Sequence, residues 1–272
     1  MPLIKNKEEK KRLLRELPLM FSRLIIAGIP VNRLLKKKAL VIGAGGLGVI
    51  VAETLARTGI GGLYIVDRDV VREENFNRLG FSREDIGKPK AVALAEKIKA
   101  LRNADTIDKK YHINVMAFHA DIIGWSKLES LIKDVDIVFT CVDNAIARSE
   151  VNYFIMKHKK PMIDGATSYS GFNGTVMTII PCKTPCYECY YGSRSLIKVN
   201  NIERIGYCDA SLATTMNIIA SLQVDQGLKI LLGYGKIYPM IKVYLDSGVE
   251  IVTQENLKPR KDCVVHRRFC NG

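Results

Sequence analysis

Gly43-Ala-Gly-Gly-Leu-Gly48 offers backbone rather than side chains to a ligand. Glycines at 43, 45, 46 and 48 permit a tight turn and let a phosphate approach the N–H groups that open a helix. Asp67, at the end of the next apolar run, is a carboxylate suited to the two hydroxyls of a ribose. A glycine loop alone also fits a plain strand-to-helix turn. The order of strand, glycines, helix, strand and acid favours a nucleotide. The residues beyond Asp67 separate a triphosphate from a dinucleotide. Asp69, Asn75, Asn77, Arg78 and Lys90 bring amides and cations, and Asp143 ends another apolar run. Hydride transfer needs no such cations. An adenylating site does, because it holds a triphosphate, binds Mg²⁺ and stabilises the departing pyrophosphate. Arg78 and Lys90 suit the phosphates, and Asp143 suits the metal. Each residue alone reads as a solvated surface charge; their joint position at strand ends and helix starts does not.

The second chemistry is that of sulfur. The chain has seven cysteines, at 141, 182, 186, 189, 208, 263 and 270. An odd number in a chain without secretory features argues against a disulfide framework and for metal ligation or thiol chemistry. Cys186-Tyr-Glu-Cys189 has the spacing of a zinc knuckle, and Cys263, His266 and Cys270 offer a second pair. Imidazole and thiolate both suit Zn²⁺, so the spacing leaves the fourth ligand open. Cys182 reads as structural and Cys141 as a buried small hydrophobe. Cys208 stands just before a long helical stretch, whose dipole would stabilise a thiolate; the adjacent Asp209 acts the other way.

The elements that must position these groups alternate. Ala39–Ile42, Leu63–Val66, Ile113–His119, Asp136–Thr140 and a run from Met162 read as strands. Gly48 to about Arg57, Ala91–Leu101 and a stretch after Asn144 to about Lys157 read as helices. This order predicts an α/β fold: a doubly wound, mostly parallel sheet with helices on both faces. Residues 165–206 should mix strands with a long loop. Leu212–Leu232 predicts a long helix, and Ile241–Leu245 with Val249–Val252 a hairpin about Asp246-Ser-Gly248. Residues 7–17 predict a short basic helix with Leu13, Leu14 and Leu17 on one side.

The 272 residues carry 47% hydrophobic side chains, enough for a core and too many for a disordered chain. No run supports a membrane span, and the charged N-terminus is not a secretory signal, so a soluble, intracellular protein is expected. The net charge is +13, of which residues 1–38 hold +8 (eleven Lys/Arg, three Glu) and residues 258–272 hold +4 (five Lys/Arg, one Asp). Solvated basic ends explain this; so does attraction to an acidic partner.

Taken together, these stretches resemble the ubiquitin-activating-like adenylyltransferases, which include MoeB and ThiF. The matching segments are Gly43–Gly48, Asp67-Arg-Asp69, Asn75-Phe-Asn-Arg78, Lys88-Pro-Lys90, and Cys141-Val-Asp-Asn144 with Arg148; the likeness covers about residues 20–270. Cys208-Asp-Ala-Ser-Leu-Ala-Thr-Thr-Met216 and Phe21-Ser-Arg23-Leu are most similar to the branch that activates the ubiquitin-fold modifier. The resemblance implies a Rossmann-like adenylation domain over residues 39–272, carrying the zinc site and the catalytic cysteine, behind a basic helical segment, 1–38. It implies a cytoplasmic homodimer using ATP, Mg²⁺ and Zn²⁺, whose Arg23 reaches the partner subunit's nucleotide. The substrate would be a ubiquitin-like protein ending in Gly-Gly. Its carboxylate would attack the α-phosphate with help from Arg78, Lys90 and Asp143, and then pass to Cys208 as a thioester, with a conjugating enzyme as a further partner. Because the family's zinc site is all-thiolate, the resemblance selects Cys186, Cys189, Cys263 and Cys270 as ligands. Activation of a sulfur-carrier protein and adenylation of a tRNA base are rival activities among relatives. A nicotinamide dehydrogenase would leave Arg78, Lys90 and Asp143 unexplained, and a non-catalytic binding module would leave the whole set without a use.

Overall fold

The computed structural model describes residues 3–78, 80–192 and 212–270. Among them, eight strands form one sheet in the order β3-β2-β1-β4-β5-β6-β7-β8. These are β1 Lys38–Ile42, β2 Gly62–Asp67, β3 Asn114–His119, β4 Ile137–Thr140, β5 Met162–Thr167, β6 Gly174–Ile179, β7 Met240–Tyr244 and β8 Glu250–Gln254. The first five pair in parallel and the last three are antiparallel. The expected doubly wound, mostly parallel α/β sheet is thus present. Its parallel half reads as continuous apolar sequence because helices cover both faces; β1 and β4 are buried nearly throughout. The antiparallel half grows from the β5–β6 pairing, Thr167 opposite Gly174, and ends in the hairpin that pairs Tyr244 with Glu250.

Chain order reverses across β1 and β4. The loops leaving these neighbouring strands diverge there and open a cleft at the carboxyl edge of the sheet. One face of the sheet is covered by α4 (Gly46–Thr58), α5 (Lys90–Arg102) and the long helix Ala213–Leu232. The long helix lies close on β4 because Gly227 has no Cβ; one would stand 2.4 Å from Phe139 Cζ. Gln223, fully buried one turn earlier, donates to Thr140 O and Ile163 O and so ties this helix to the end of β4 and the start of β5. The other face carries α6 (Leu128–Asp134), α7 (Ala145–Lys157), α8 (Tyr187–Tyr191) and the C-terminal helix Val264–Cys270. The N-terminal helices α1 (Lys7–Glu16), α2 (Ser22–Ile26) and α3 (Val31–Leu34) bury Leu13, Phe21, Ile25 and Val31 in a small core of their own. The Phe21 ring stacks on the fully buried Arg102 guanidinium, 4.8 Å away. None of the helices among the described residues is long and apolar enough to cross a membrane.

Candidate nucleotide cleft and cysteine–histidine cluster

The cleft at the β1–β4 switch point encloses about 470 Å³. Gly43 turns the chain out of β1 with φ +93°, a conformation that suits glycine, and its missing Cβ would lie 2.6 Å from Cys141 O. Gly48 lines no part of the cleft; a Cβ there would strike Gly43 O at 1.7 Å, so it serves the packing of helix on loop. Gly45 faces open space and caps α4 without a side-chain hydrogen bond, so the first amides of that helix point at the cleft. Gly46 lies beneath Met216 of the long helix and the Arg78 side chain.

Asp67 ends β2 at the cleft floor. Its Oδ2 accepts the Ala44 N–H at 2.5 Å and its Oδ1 the Asp69 N–H at 2.7 Å. Burial raises its carboxyl above the ordinary carboxylate range, and those two amides and the Lys90 charge pull it part of the way back. Lys90, at the first turn of α5, is nearly buried and pairs with Asp69 Oδ2 at 3.0 Å. Arg78 lines the cleft and donates its Nε to Asn77 Oδ1, while Asn77 itself lies outside the lining. Asn75 closes the short turn Glu73–Asn77 by accepting the Arg72 N–H. Asp143 stands exposed on the lining, just before Asn144, which caps α7.

The structure therefore gathers Gly43, Gly45, Gly46, Asp67, Asp69, Asn75, Arg78, Lys90 and Asp143 around one cavity. Arg23 is exposed on α2 and does not line it. Cys208, the expected nucleophile, lies outside the described residues. Asp121 and Tyr169 escaped the sequence reading, and Arg68 and Arg148 stood in its matching segments without an assigned role. Arg68 and Asp121 pair across the mouth at 3.0 Å, and Tyr169 stands 81% exposed at the far rim. Arg148 reaches in from α7. Its Nε donates to the buried Asp164 at 2.9 Å and its Nη2 to Gly165 O, while Thr140 Oγ1 donates to the same Asp164 oxygen. Burial pushes the Asp164 carboxyl up; burial also opposes the Arg148 charge, but facing Asp164 outweighs it and keeps the guanidinium protonated. Cys141 is partly buried against Gln223, and desolvation pushes its thiol up to about 12, so it is inert.

On the opposite face, Cys186 and Cys189 frame the start of α8, with their sulfurs 3.7 Å apart. Cys263 Sγ lies 3.6 Å from Cys186 Sγ. The ligand atoms of Cys186, Cys189 and His266 fall within 4.8 Å of one another. All four side chains are buried, and His266 Nδ1 has no hydrogen-bond partner. Thiols and an imidazole gathered in this way are side chains of the kinds that hold zinc. The expectation of Cys270 as fourth ligand is corrected. The C-terminal helix carries Cys270 about 6 Å along its axis beyond His266, where it forms a disulfide with Cys182. His266 is the side chain whose ligand atom lies with those of Cys186 and Cys189. The odd cysteine count, read as a sign against disulfides, gave no hint of this bond.

A doubly wound sheet with a glycine-loop cleft at its switch point defines the molecule as one of the nucleotide-binding α/β proteins. More narrowly, a match over residues 19–263 shows that the chain belongs to the ThiF family. It is 32% identical over 239 residues to ubiquitin-like modifier-activating enzyme 5 of Dictyostelium discoideum, covering 85% of this chain and 61% of that protein. The protein of the same name from Oryza sativa subsp. japonica is 30% identical over 230 residues, covering 82% of this chain and 54% of that protein. The chain thus spans little more than half the length of these curated relatives. Among solved structures, E. coli MccB with ATP superposes with a TM-score of 0.72 at 22% identity, over 94% of this chain and 80% of that one. PaaA superposes with a TM-score of 0.69 at 22% identity, over 91% and 84%. At that identity the structural likeness speaks to the fold, which it shares.

Proposed function

We propose that the protein activates a ubiquitin-like protein. It adenylates the C-terminal glycine carboxylate with ATP and then takes the acyl group onto Cys208 as a thioester. The observation that carries this reading is the single cavity shared by the α4 N-terminus, Asp67, Arg78, Lys90 and Asp143, in a chain about 30% identical to ubiquitin-like modifier-activating enzymes. Asp67 holds the ribose, and the open α4 amides take a phosphate. Arg78 and Lys90 stabilise charge as pyrophosphate leaves. For Lys90 this means exchanging Asp69 for the nucleotide. Asp143, a hard oxygen donor exposed on the cleft wall, suits Mg²⁺, which when bound would neutralise phosphate charge. The Cys208 thiolate then attacks the acyl-adenylate carbonyl and displaces AMP. Cys186, Cys189, Cys263 and His266 hold a structural zinc, which would tie the C-terminal helix to α8. A cytoplasmic homodimer, with Arg23 reaching the partner subunit's nucleotide, and transfer of the thioester to a conjugating enzyme complete the reading.

The test mixes purified protein, ATP·Mg²⁺ and a panel of ubiquitin-fold proteins ending in Gly-Gly, followed by non-reducing intact mass spectrometry. A covalent adduct that thiol reductant removes and Cys208→Ala abolishes is expected, while Cys208→Ala keeps carboxylate-dependent ATP–pyrophosphate exchange. Pyrophosphate release that yields only adenylated partner would assign the protein to sulfur-carrier activation instead.

A further inference from the structure

We propose that Cys182 and Cys270 form a redox-modifiable latch that sets how firmly the adjacent Cys₃His centre keeps its zinc; this rests on the proposed zinc centre. Two short segments are joined twice. The first runs from Cys182 through Cys186 to Cys189, and the second from Cys263 through His266 to Cys270. The disulfide links residues 88 apart in sequence, and the Cys186–Cys263 contact links residues 77 apart. One closure is therefore nested just inside the other. Once the ion closes the inner loop, the disulfide removes little further chain entropy. Its action is local.

That locality falls on His266. The ligand rides on a helix of seven residues, too short to hold its form alone. Cys263 anchors it at the start and Cys270 at the end. Opening the disulfide frees the end of the helix one turn beyond the imidazole. Fraying then costs only the contacts that remain, chiefly Phe269 against Tyr153 and the Lys159 ammonium on Phe269 O. The latch is also placed to be operated. Cys182 is exposed, whereas Cys186, Cys189 and Cys263 are buried. Lys159 Nζ lies 3.3 Å from Cys182 Sγ, a cation that stabilises Cys182 as the leaving thiolate when a reductant attacks the Cys270 sulfur. By reciprocity, bound zinc favours the disulfide by the same factor that the disulfide favours zinc.

The step balances with a water-soluble phosphine. The S–S bond takes two electrons from phosphorus, water supplies two protons to the sulfurs, and its oxygen leaves on the phosphine. In a cell, a dithiol reductant would leave as its own disulfide. The experiment uses the full chain, zinc-loaded, with and without the phosphine. Intact mass and alkylation mapping read the state of Cys182 and Cys270, and a chromogenic chelator reads zinc release. Release about 10-fold or more faster after reduction is expected, in the range that outer ligand supports carry. Cys270→Ser and Cys182→Ser should release zinc at that fast rate whether oxidised or reduced, and re-oxidation of the wild type should restore the slow rate. Equal release from oxidised and reduced wild type, each with one zinc, would overturn the latch alone. So would alkylation of both cysteines after oxidation. Purified protein lacking one equivalent of zinc by elemental analysis, in either redox state, would overturn the zinc reading and the latch with it.

Discussion

At Gly48 one hydrogen in place of a methyl decides whether the loop can close. Gly48→Ala puts a Cβ against the Gly43 carbonyl, backbone on both sides. We expect a cost of about 3 kcal/mol and a fall in melting temperature on the order of 10 °C, with ATP binding lost, read by thermal shift with and without nucleotide. Asp67 makes a prediction with a sign. Burial holds its carboxyl above the usual value of 3.8. The folded state therefore favours the protonated form, a contribution to stability present at low pH and lost as pH rises through the folded value. Nucleotide binding runs the other way, because the carboxylate is the form that accepts the Ala44 amide and the ribose hydroxyls. ATP affinity should decline on acidification at a higher pH than an ordinary carboxylate would dictate, and Asp67→Asn should flatten that decline. Calorimetric titration across pH checks both. At this scale the sequence was most readable. Gly43, Gly45, Gly46 and Asp67 lie close in sequence to the strands that carry them, so local order alone foretells their meeting at the cleft.

Among the elements, the Arg148–Asp164 pair joins the first turn of α7 to the middle of β5, and Thr140 adds β4 to the same carboxylate. Asp164→Ala leaves a guanidinium without its partner and should cost about 3–5 kcal/mol in urea unfolding. The double change Arg148→Met with Asp164→Leu should cost less than that single one, because it removes both charges. A double mutant no better than Asp164→Ala would sink this account of the pair. The parallel half of the sheet was legible because its strands are unbroken apolar runs with helices between them. The hairpin at Asp246–Gly248 was legible through its turn residues. β6, α8 and the C-terminal helix were not, since they lie where glycine, tyrosine and cysteine give no clean period. The choice between His266 and Cys270 as the proposed fourth ligand stayed open for a related reason: it turns on the helix formed by the last residues, and a seven-residue amphipathic signal is too short to read.

For the whole molecule, the sequence gives charge and its location but not which surfaces meet. Leu19 is 85% and Ile26 61% exposed on the N-terminal helices that carry Arg23, an apolar surface beside a cation. In the proposed homodimer, sedimentation should give twice the 30.4 kDa of the chain. Arg23→Ala and Lys90→Ala should each abolish pyrophosphate exchange. Mixing the two should restore up to about a quarter of wild-type activity, because randomly paired dimers then contain one intact site in half of the assemblies. No recovery on mixing would confine Arg23 to its own chain. The disulfide has a consequence of another kind. With Cys182 and Cys270 joined, everything between them is a closed ring that holds the long helix, β7 and β8. A single protease cut at the exposed Asp246–Gly248 turn would leave the chain in one piece on a denaturing gel. Two fragments would separate only after reductant is added, so the fragment pattern itself would report whether the ring was closed when the protein was harvested.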